Sequence, residues 1–352
     1  VSTCLVIDGE SGAMDRARCL RADHPLPGDR SLQAGAAAKT LAAGLEAGEL
    51  LLVCVSGGAS SMMCSPRNTS VDAVAECTRL VMRAGLPIEV LNRARAALDE
   101  LKFGGLAALA DPADCGALIL SDVPGDDLSL VGSGPTRRRD NPSVQAALAA
   151  AGVWDSLDAS AQLELAKDHP APAYGARAPF DLLVAANADA RRAAGDRASD
   201  DGYEVISLGM VLKGEAREAG REFVRASDSP ETRALSPGRR CVVAGGETTV
   251  TQKGAGRGGR TLEFAYGVAQ AIQGRKGVSV LVLATDGEDG NSGAAGAIVD
   301  GGTLARAQSA GVDLEAASAR NDLAPAFESL GELIVTGPTG TNVCDLAVWL
   351  ED

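Results

Sequence analysis

Lys253, Arg257 and Arg260 stand in one glycine-rich stretch, GGETTVTQKGAGRGGR at residues 245–260, a combination suited to holding an anion. Gly254, Gly256, Gly258 and Gly259 would let backbone N–H groups approach a phosphate. The following TLEFAYGVAQAIQ reads as a helix whose positive end adds to the field. The spacing Gly254-x-Gly256-x-x-Gly259 also fits a dinucleotide-binding pattern. The ribose-binding acid expected about 20 residues further on is missing and the loop is itself basic, so a phosphate loop outweighs both a nicotinamide fingerprint and a plain tight turn.

Other candidates follow predicted strands, where ligands gather in parallel α/β sheets. After ELLLVCV comes Ser56-Gly57-Gly58-Ala59-Ser60-Ser61, whose backbone donors and hydroxyls, Ser56, Gly57, Gly58 and Ser60 above all, suit phosphate or carboxylate; the alternative is a tight strand-to-helix turn. After ALIL comes Asp122, a candidate catalytic carboxylate, with Asp126 and Asp127 reading equally well as a helix cap. After VSVLVLAT, Asp286 and Asp289 are candidate metal ligands, although their spacing fails the EF-hand template. After ELIVTG, Thr339, Thr341 and Asn342 form a hydroxyl-and-amide turn able to fix a polar ligand. In LNRARAALDELKFGG, Arg93 and Lys102 are candidate substrate contacts and Arg95 reads as a surface charge. Both histidines, His24 and His169, precede proline and read as turn residues.

Phosphoryl transfer needs cations on the phosphates, a metal ion and a carboxylate at the attacking hydroxyl, but no histidine. Arg260 and Asp122 are the residues assigned that work, with Arg257 on phosphate or substrate. No G-x-x-x-x-G-K-[ST] and no G-x-S-x-G is present, which argues against a Walker-type kinase and an α/β-hydrolase.

The elements that must carry these loops read as α/β. Apolar strand-like runs (CLVID, ELLLVCV, ALILS, FDLLVAA, YEVISL, RCVVAGG, TVTQ, VSVLVLAT, ELIVTG) alternate with alanine-rich helical stretches, as in largely parallel or mixed sheets. With 352 residues and 45% hydrophobic content, two domains are expected, 1–178 and 179–352, joined in the weakly patterned stretch 154–179; Ser227–Arg239 is a second candidate junction. A net charge of −14 argues against nucleic acid and anionic membrane surfaces as partners. Eight cysteines without a C-x-x-C favour reduced thiols, and no apolar run is long enough to span a bilayer, so a cytoplasmic location is expected. VSTCLVID reads as a strand already inside a fold, so a segment upstream is expected.

Taken in order, HPLPGDRS, VSGGASSM, LILSDVPGDDLSLVGSGPT, GGETTVTQKGAGRGGR, ATDGEDGNSGAAGAIVDG and IVTGPTGTNVCDL resemble the glycerate 2-kinase family, whose members end in a MOFRL domain and many of which carry the older label hydroxypyruvate reductase. The resemblance implies ATP-dependent phosphorylation of D-glycerate to 2-phosphoglycerate with Mg²⁺. It also implies two three-layer α/β/α domains with an interdomain cleft and a MOFRL region over about 238–350; a homodimer is left open.

The family's usual Gly-Lys-Ala turn does not precede Val1. Its Ser-Gly-Gly-Gly-Ser is Ser56-Gly57-Gly58-Ala59-Ser60, and its Gly-Gly-Arg-Asn-Gln-Glu is Gly258-Gly259-Arg260-Thr261-Leu262-Glu263. Its Asn-x-x-Arg-Lys-His is Asn92-Arg93-Ala94-Arg95-Ala96-Ala97, and its Asn-Asp-Ser-Tyr is Asn321-Asp322-Leu323-Ala324. These departures keep in view a non-catalytic or divergent-substrate homologue binding a nucleotide or hydroxy acid, and the family's older label keeps in view an NAD(P)H-dependent reductase acting on hydroxypyruvate.

Overall fold

The computed structural model describes residues 3–8, 17–173, 179–236 and 238–352. It divides into two compact units, one of residues 1–121 and 127–184, the other of residues 122–126 and 185–352. The short segment Asp122–Asp126 therefore belongs to the second unit although its neighbours in the chain belong to the first.

The first unit pairs β1 (Cys4–Asp8) with β2 (Ala17–Arg21) in parallel, and holds a three-stranded sheet in the order β3 (Leu50–Val55), β4 (Asp114–Leu120), β5 (Phe180–Ala185). β3 and β4 run parallel, from Leu50 opposite Asp114 to Val55 opposite Ile119. The helix Val71–Arg83 starts where Ser70 accepts the Ala73 N–H, and its Val71, Val74, Cys77, Thr78 and Val81 recur at helical spacing on the buried face. That face packs with the helix Ile88–Leu98 and with Ala161 and Leu165 of the helix Ala159–Leu165. Part of the weakly patterned stretch 154–179 is thus ordinary core of this unit; residues 174–178 lie outside the described residues.

The second unit is built on a six-stranded mixed sheet. Its strands are β6 (Glu204–Leu212), β7 (Arg240–Gly246), β8 (Val278–Ala284), β9 (Gly296–Asp300), β10 (Leu333–Ile334) and β11 (Asp345–Glu351), in the order β10-β9-β8-β11-β7-β6. β6 and β7 are parallel and the other neighbours antiparallel. Helices Ala216–Ser227 and Arg260–Ala271 pack against one another so closely that a Cβ on Gly267 would lie 2.1 Å from the Arg217 carbonyl oxygen, and one on Gly220 would lie 2.3 Å from that of Phe264. Phe223, Phe264, Val242, Val280 and Trp349 fill the core between these helices and the sheet.

Four sequence expectations change. TVTQ forms no strand beyond a single bridge between Glu215 and Thr249, and ELIVTG shortens to Leu333–Ile334. β2, β9 and β11 are additional to the strands expected from the sequence. β11 reads DLAVWLE and is buried through its first five residues, so it lacks the alternation that marks a half-exposed strand. The second candidate junction, 227–239, lies within the second unit, where Ser229 caps the helix Pro230–Leu235 by accepting the Thr232 N–H. Among the described residues no helix is long and apolar enough to cross a membrane.

Candidate active site

The register of β11 builds the most charged part of the second unit. Asp345 lies opposite Gly246 at the end of β7 on one side and opposite Ala284 at the end of β8 on the other. An antiparallel strand therefore begins where its two neighbours finish, and it brings a buried carboxylate to the turns that carry Glu247 and Asp286. Arg260, first residue of its helix, donates Nε to Asp345 Oδ2 at 2.8 Å and Nη2 to Oδ1 at 2.9 Å, a two-pronged pair. Its Nη1 is 3.3 Å from Glu247 Oε1. Burial alone would lower the Arg260 guanidinium, but the Asp345 hydrogen bonds, with the charges of Asp345 and Glu247, raise it, so it stays protonated. Asp345 itself is pushed up to about 6 by burial, against the opposing pull of Arg260.

Asp122 enters the same neighbourhood. Its backbone carbonyl accepts the Cys344 thiol at 2.8 Å, and burial pushes that thiol upward, so it remains a donor. Burial also raises the Asp122 carboxyl, opposed by a backbone hydrogen bond and by no basic side chain among the described residues. Glu247 is raised first by burial, against Arg260, and further by the charges of Asp122 and Asp286. Four carboxylates, Asp122, Glu247, Asp286 and Asp345, thus act on one another around a single arginine.

The turn before β11 is stitched to the turn after β8. Thr339 donates its hydroxyl to the Thr285 carbonyl at 2.6 Å, and Thr285 donates its own to the Cys344 carbonyl at 2.7 Å. Asn342 Oδ1 accepts the Cys344 N–H at 2.9 Å, which holds Cys344 at a left-handed φ of 69°. Thr339 and Asn342 therefore shape the turn, while exposed Thr341 makes no side-chain hydrogen bond among the described residues. Asn187 is a residue that the sequence reading misses. It is buried after β5 and donates Nδ2 to the Val343 and Asp345 carbonyls at 2.8 and 3.0 Å. Its one signal in the sequence is a polar residue directly after an apolar strand.

The glycine-rich loop differs from expectation in how it spends its donors. The N–H groups of Lys253 and Gly254 donate to Asn321 Oδ1, that of Gly256 to the Arg320 carbonyl, that of Arg257 to Asp322 Oδ1, and that of Gly258 to Asn291 Oδ1. The helix start is filled as well, because Asp289 accepts the N–H groups of Thr261 at 2.9 Å and Leu262 at 3.1 Å. The anion at this helix terminus is the protein's own carboxylate. Glycine is required by close approach: a Cβ on Gly256 would lie 2.4 Å from the Asp322 Cβ, and one on Gly259 would lie 2.3 Å from Asp289 Oδ1. The backbone cradle expected here for phosphate is therefore taken, and both Asp289 oxygens are engaged in capping. What the loop offers a ligand is side-chain charge. Lys253 and Arg257 are exposed and have no carboxylate partner among the described residues, Arg257 donating only to the Ser292 carbonyl at 2.9 Å.

A pH test follows from that cap. Burial pushes Asp289 up to about 6 from its ordinary 3.8, so the folded state holds this proton more tightly than the unfolded chain does. The stability the group contributes is then present below its unfolded pKa and lost as pH rises through the folded one. Asp289→Asn keeps one acceptor and removes the titration. The unfolding free energy of the parent relative to this variant should fall by up to about 3 kcal/mol between about pH 4 and pH 6.5, read from urea transitions. A flat or rising difference would refute the raised pKa.

In the first unit, the Ser56–Ser61 turn follows β3 as expected. Ser60 Oγ and Ser133 Oγ are 2.7 Å apart, and Ser133 donates to Asn92 Oδ1 at 2.7 Å. The N–H groups of Gly57 and Gly58 donate to no protein acceptor among the described residues. Arg93 and Lys102 are both engaged by backbone carbonyls. Arg93 braces a neighbouring turn by donating Nη2 to the Pro142 and Ser143 carbonyls, and buried Lys102 donates Nζ to the Met63 carbonyl at 2.5 Å and lies 3.6 Å from Asp99 Oδ2. Asp127 makes a turn, accepting the Ser129 N–H at 2.9 Å and hydroxyl at 2.6 Å.

Residues 1–165 match a domain of unknown function (DUF4147) and residues 240–345 match the MOFRL family. The D-glycerate 2-kinase of Thermotoga maritima is 32% identical over 348 residues, covering 96% of this chain and 81% of that protein. The chain belongs to the glycerate 2-kinase family. A crystal structure of glycerate kinase from Thermotoga maritima superposes with a TM-score of 0.85 at 31% identity, over 97% of this chain and 82% of that one. A relative from Agrobacterium vitis with the provisional name hydroxypyruvate reductase is 37% identical over 343 residues, 96% of this chain and 78% of the relative. Against this glycerate 2-kinase background the altered Asn321-Asp322 box keeps a structural role, since its two side chains hold the loop 253–257 in place.

Proposed function

We propose that the protein transfers the γ-phosphoryl group of ATP to the 2-hydroxyl of D-glycerate. Family membership supports the reaction class, and the observation that carries the site is the single, permanently charged Arg260 set among Asp122, Glu247, Asp286 and Asp345 at the strand ends. Transfer of a phosphoryl group depends mainly on positioning and on charge stabilisation where negative charge spreads. Asp345 binds one edge of the Arg260 guanidinium through Nε and Nη2, so Nη1, which faces Glu247, is aimed before any ligand arrives. In this reading Nη1 holds a phosphoryl oxygen. Asp122, raised and without a basic partner, accepts the proton of the attacking hydroxyl at its carboxylate. Lys253 and Arg257 hold outer phosphate oxygens.

The donor set also fits Mg²⁺. Its carboxylates raise one another with one arginine to offset them, an excess of negative charge on oxygen ligands that a hard divalent cation relieves. Among the described residues no group of three or more His, Cys, Asp or Glu side chains could hold a metal alone, so one or two carboxylates, Asp286 and Glu247, would share it with phosphate oxygens. When bound, the ion would neutralise phosphate charge. The eight free thiols fit a reducing compartment, and a cytoplasmic location is part of the proposal.

The reductase alternative fares worse on the geometry. A dinucleotide pyrophosphate needs the glycine-loop donors and the helix start that Asn321, Asp322 and Asp289 already use. The expected result is ADP release with D-glycerate and MgATP, and no loss of nicotinamide absorbance with hydroxypyruvate and NADH or NADPH. The reverse pattern would overturn the proposal in favour of the reductase, and MgATP binding without turnover would favour a non-catalytic homologue.

A further inference from the structure

Arg95, which reads from the sequence as a surface charge, is only partly exposed and has no ion pair or hydrogen bond among the described residues. Burial lowers its guanidinium, and Cys77, buried and itself pushed up to about 12, is a neutral thiol near pH 7 that supplies no counter-charge. A desolvated cation with no partner is costly unless a ligand supplies the counter-charge.

Its neighbours are arranged to receive one. Arg95 lies one helical turn after Asn92, so the two share a face of the helix Ile88–Leu98. Asn92 is joined through Ser133 to Ser60. Ser133 is fully buried at a left-handed φ of 60°, which fixes this link rigidly. On the other side of the Ser56–Ser61 turn, a Cβ on Gly58 would lie 3.2 Å from His24 Nε2, so the ring lies directly against the turn. Burial first and the Arg95 charge second lower the His24 pKa, so the ring is neutral near pH 7 and can donate one N–H. Asp23, the residue before His24, is already paired with Arg30.

We infer that Arg95, His24 and the free N–H groups of Gly57 and Gly58 form an oxyanion pocket in the first unit, and that its occupant is the carboxylate of a small hydroxy acid. The identity of that occupant rests on the kinase reading; the pocket itself does not. Phosphate oxygens of a nucleotide share the same chemistry, and the test separates the two.

The test compares the parent with Arg95→Met, which keeps the bulk without the charge, and with Arg95→Lys, which keeps the charge without the fork. Without ligand, Arg95→Met should melt at or above the parent, because an unpaired buried cation has been replaced by an apolar chain. The Kd for D-glycerate, followed by thermal shift and calorimetry, should rise about tenfold or more in Arg95→Met and less in Arg95→Lys, with the response to ATP unchanged. A selective loss of ATP affinity would overturn the carboxylate assignment. Unchanged affinity for both ligands, or a lower melting temperature for ligand-free Arg95→Met, would overturn the pocket. If the parent binds D-glycerate through Arg95 yet releases no ADP, the pocket stands and the kinase reading falls.

Discussion

Arg260→Ala should lower kcat/KM by about 3 kcal/mol, a factor of about 150, the scale on which one fixed charged donor acts at a phosphoryl-transfer site. The same change should destabilise the second unit by about 3 to 5 kcal/mol, because the Asp345 carboxylate, buried at the start of β11, would lose the partner that binds both its oxygens. The two effects separate with further variants. Asp345→Asn in the Arg260→Ala background removes the orphaned charge and should recover much of the stability without the activity. Arg260→Lys should hold more stability than Arg260→Ala while still losing rate, since an ammonium cannot fork onto Asp345 and still point at Glu247. Recovery of activity together with stability in the double variant would make Arg260 a structural residue only.

Asp122→Asn should lower kcat by about a hundredfold, at the low end for removing a general base, and leave the KM for ATP near that of the parent. The stability change should carry the opposite sign. Burial raises the Asp122 carboxyl, so the charged form is disfavoured in the folded protein, and the neutral amide should make the protein slightly more stable at pH 7. The turn itself should survive, because the Cys344 thiol bonds to the backbone carbonyl and not to the side chain. A variant that is both less stable and nearly as active would remove Asp122 from the chemistry.

Much of this site was legible in the sequence as strand ends. Asp122 and Asp286 follow apolar runs, Arg260 closes the glycine-rich loop, and all three act on Glu247 in the folded protein. What residue types could not reveal was which groups the protein spends on itself. Asp289 reads as a metal ligand but caps a helix from another loop, and the four glycines that read as a phosphate cradle admit the 320–322 turn and Asp289 instead. Lys102 and Arg93 are bound to backbone carbonyls, whereas Arg95, two positions beyond Arg93, has no protein partner among the described residues. Neighbours on one helix point different ways, and the spacing alone gave no means of choosing. β11 escapes a sequence reading because a central strand buried on both faces lacks alternation, and with it goes Asp345, the residue that orients Arg260.

The measurement that bears most directly on the central claim is the phosphorus-31 spectrum of the product formed from D-glycerate and MgATP, recorded with proton coupling. Transfer to the 2-hydroxyl predicts an ester phosphorus split into a doublet by the one proton on C2. A triplet from the two protons on C3 would contradict it, as would the absence of any new phosphate ester.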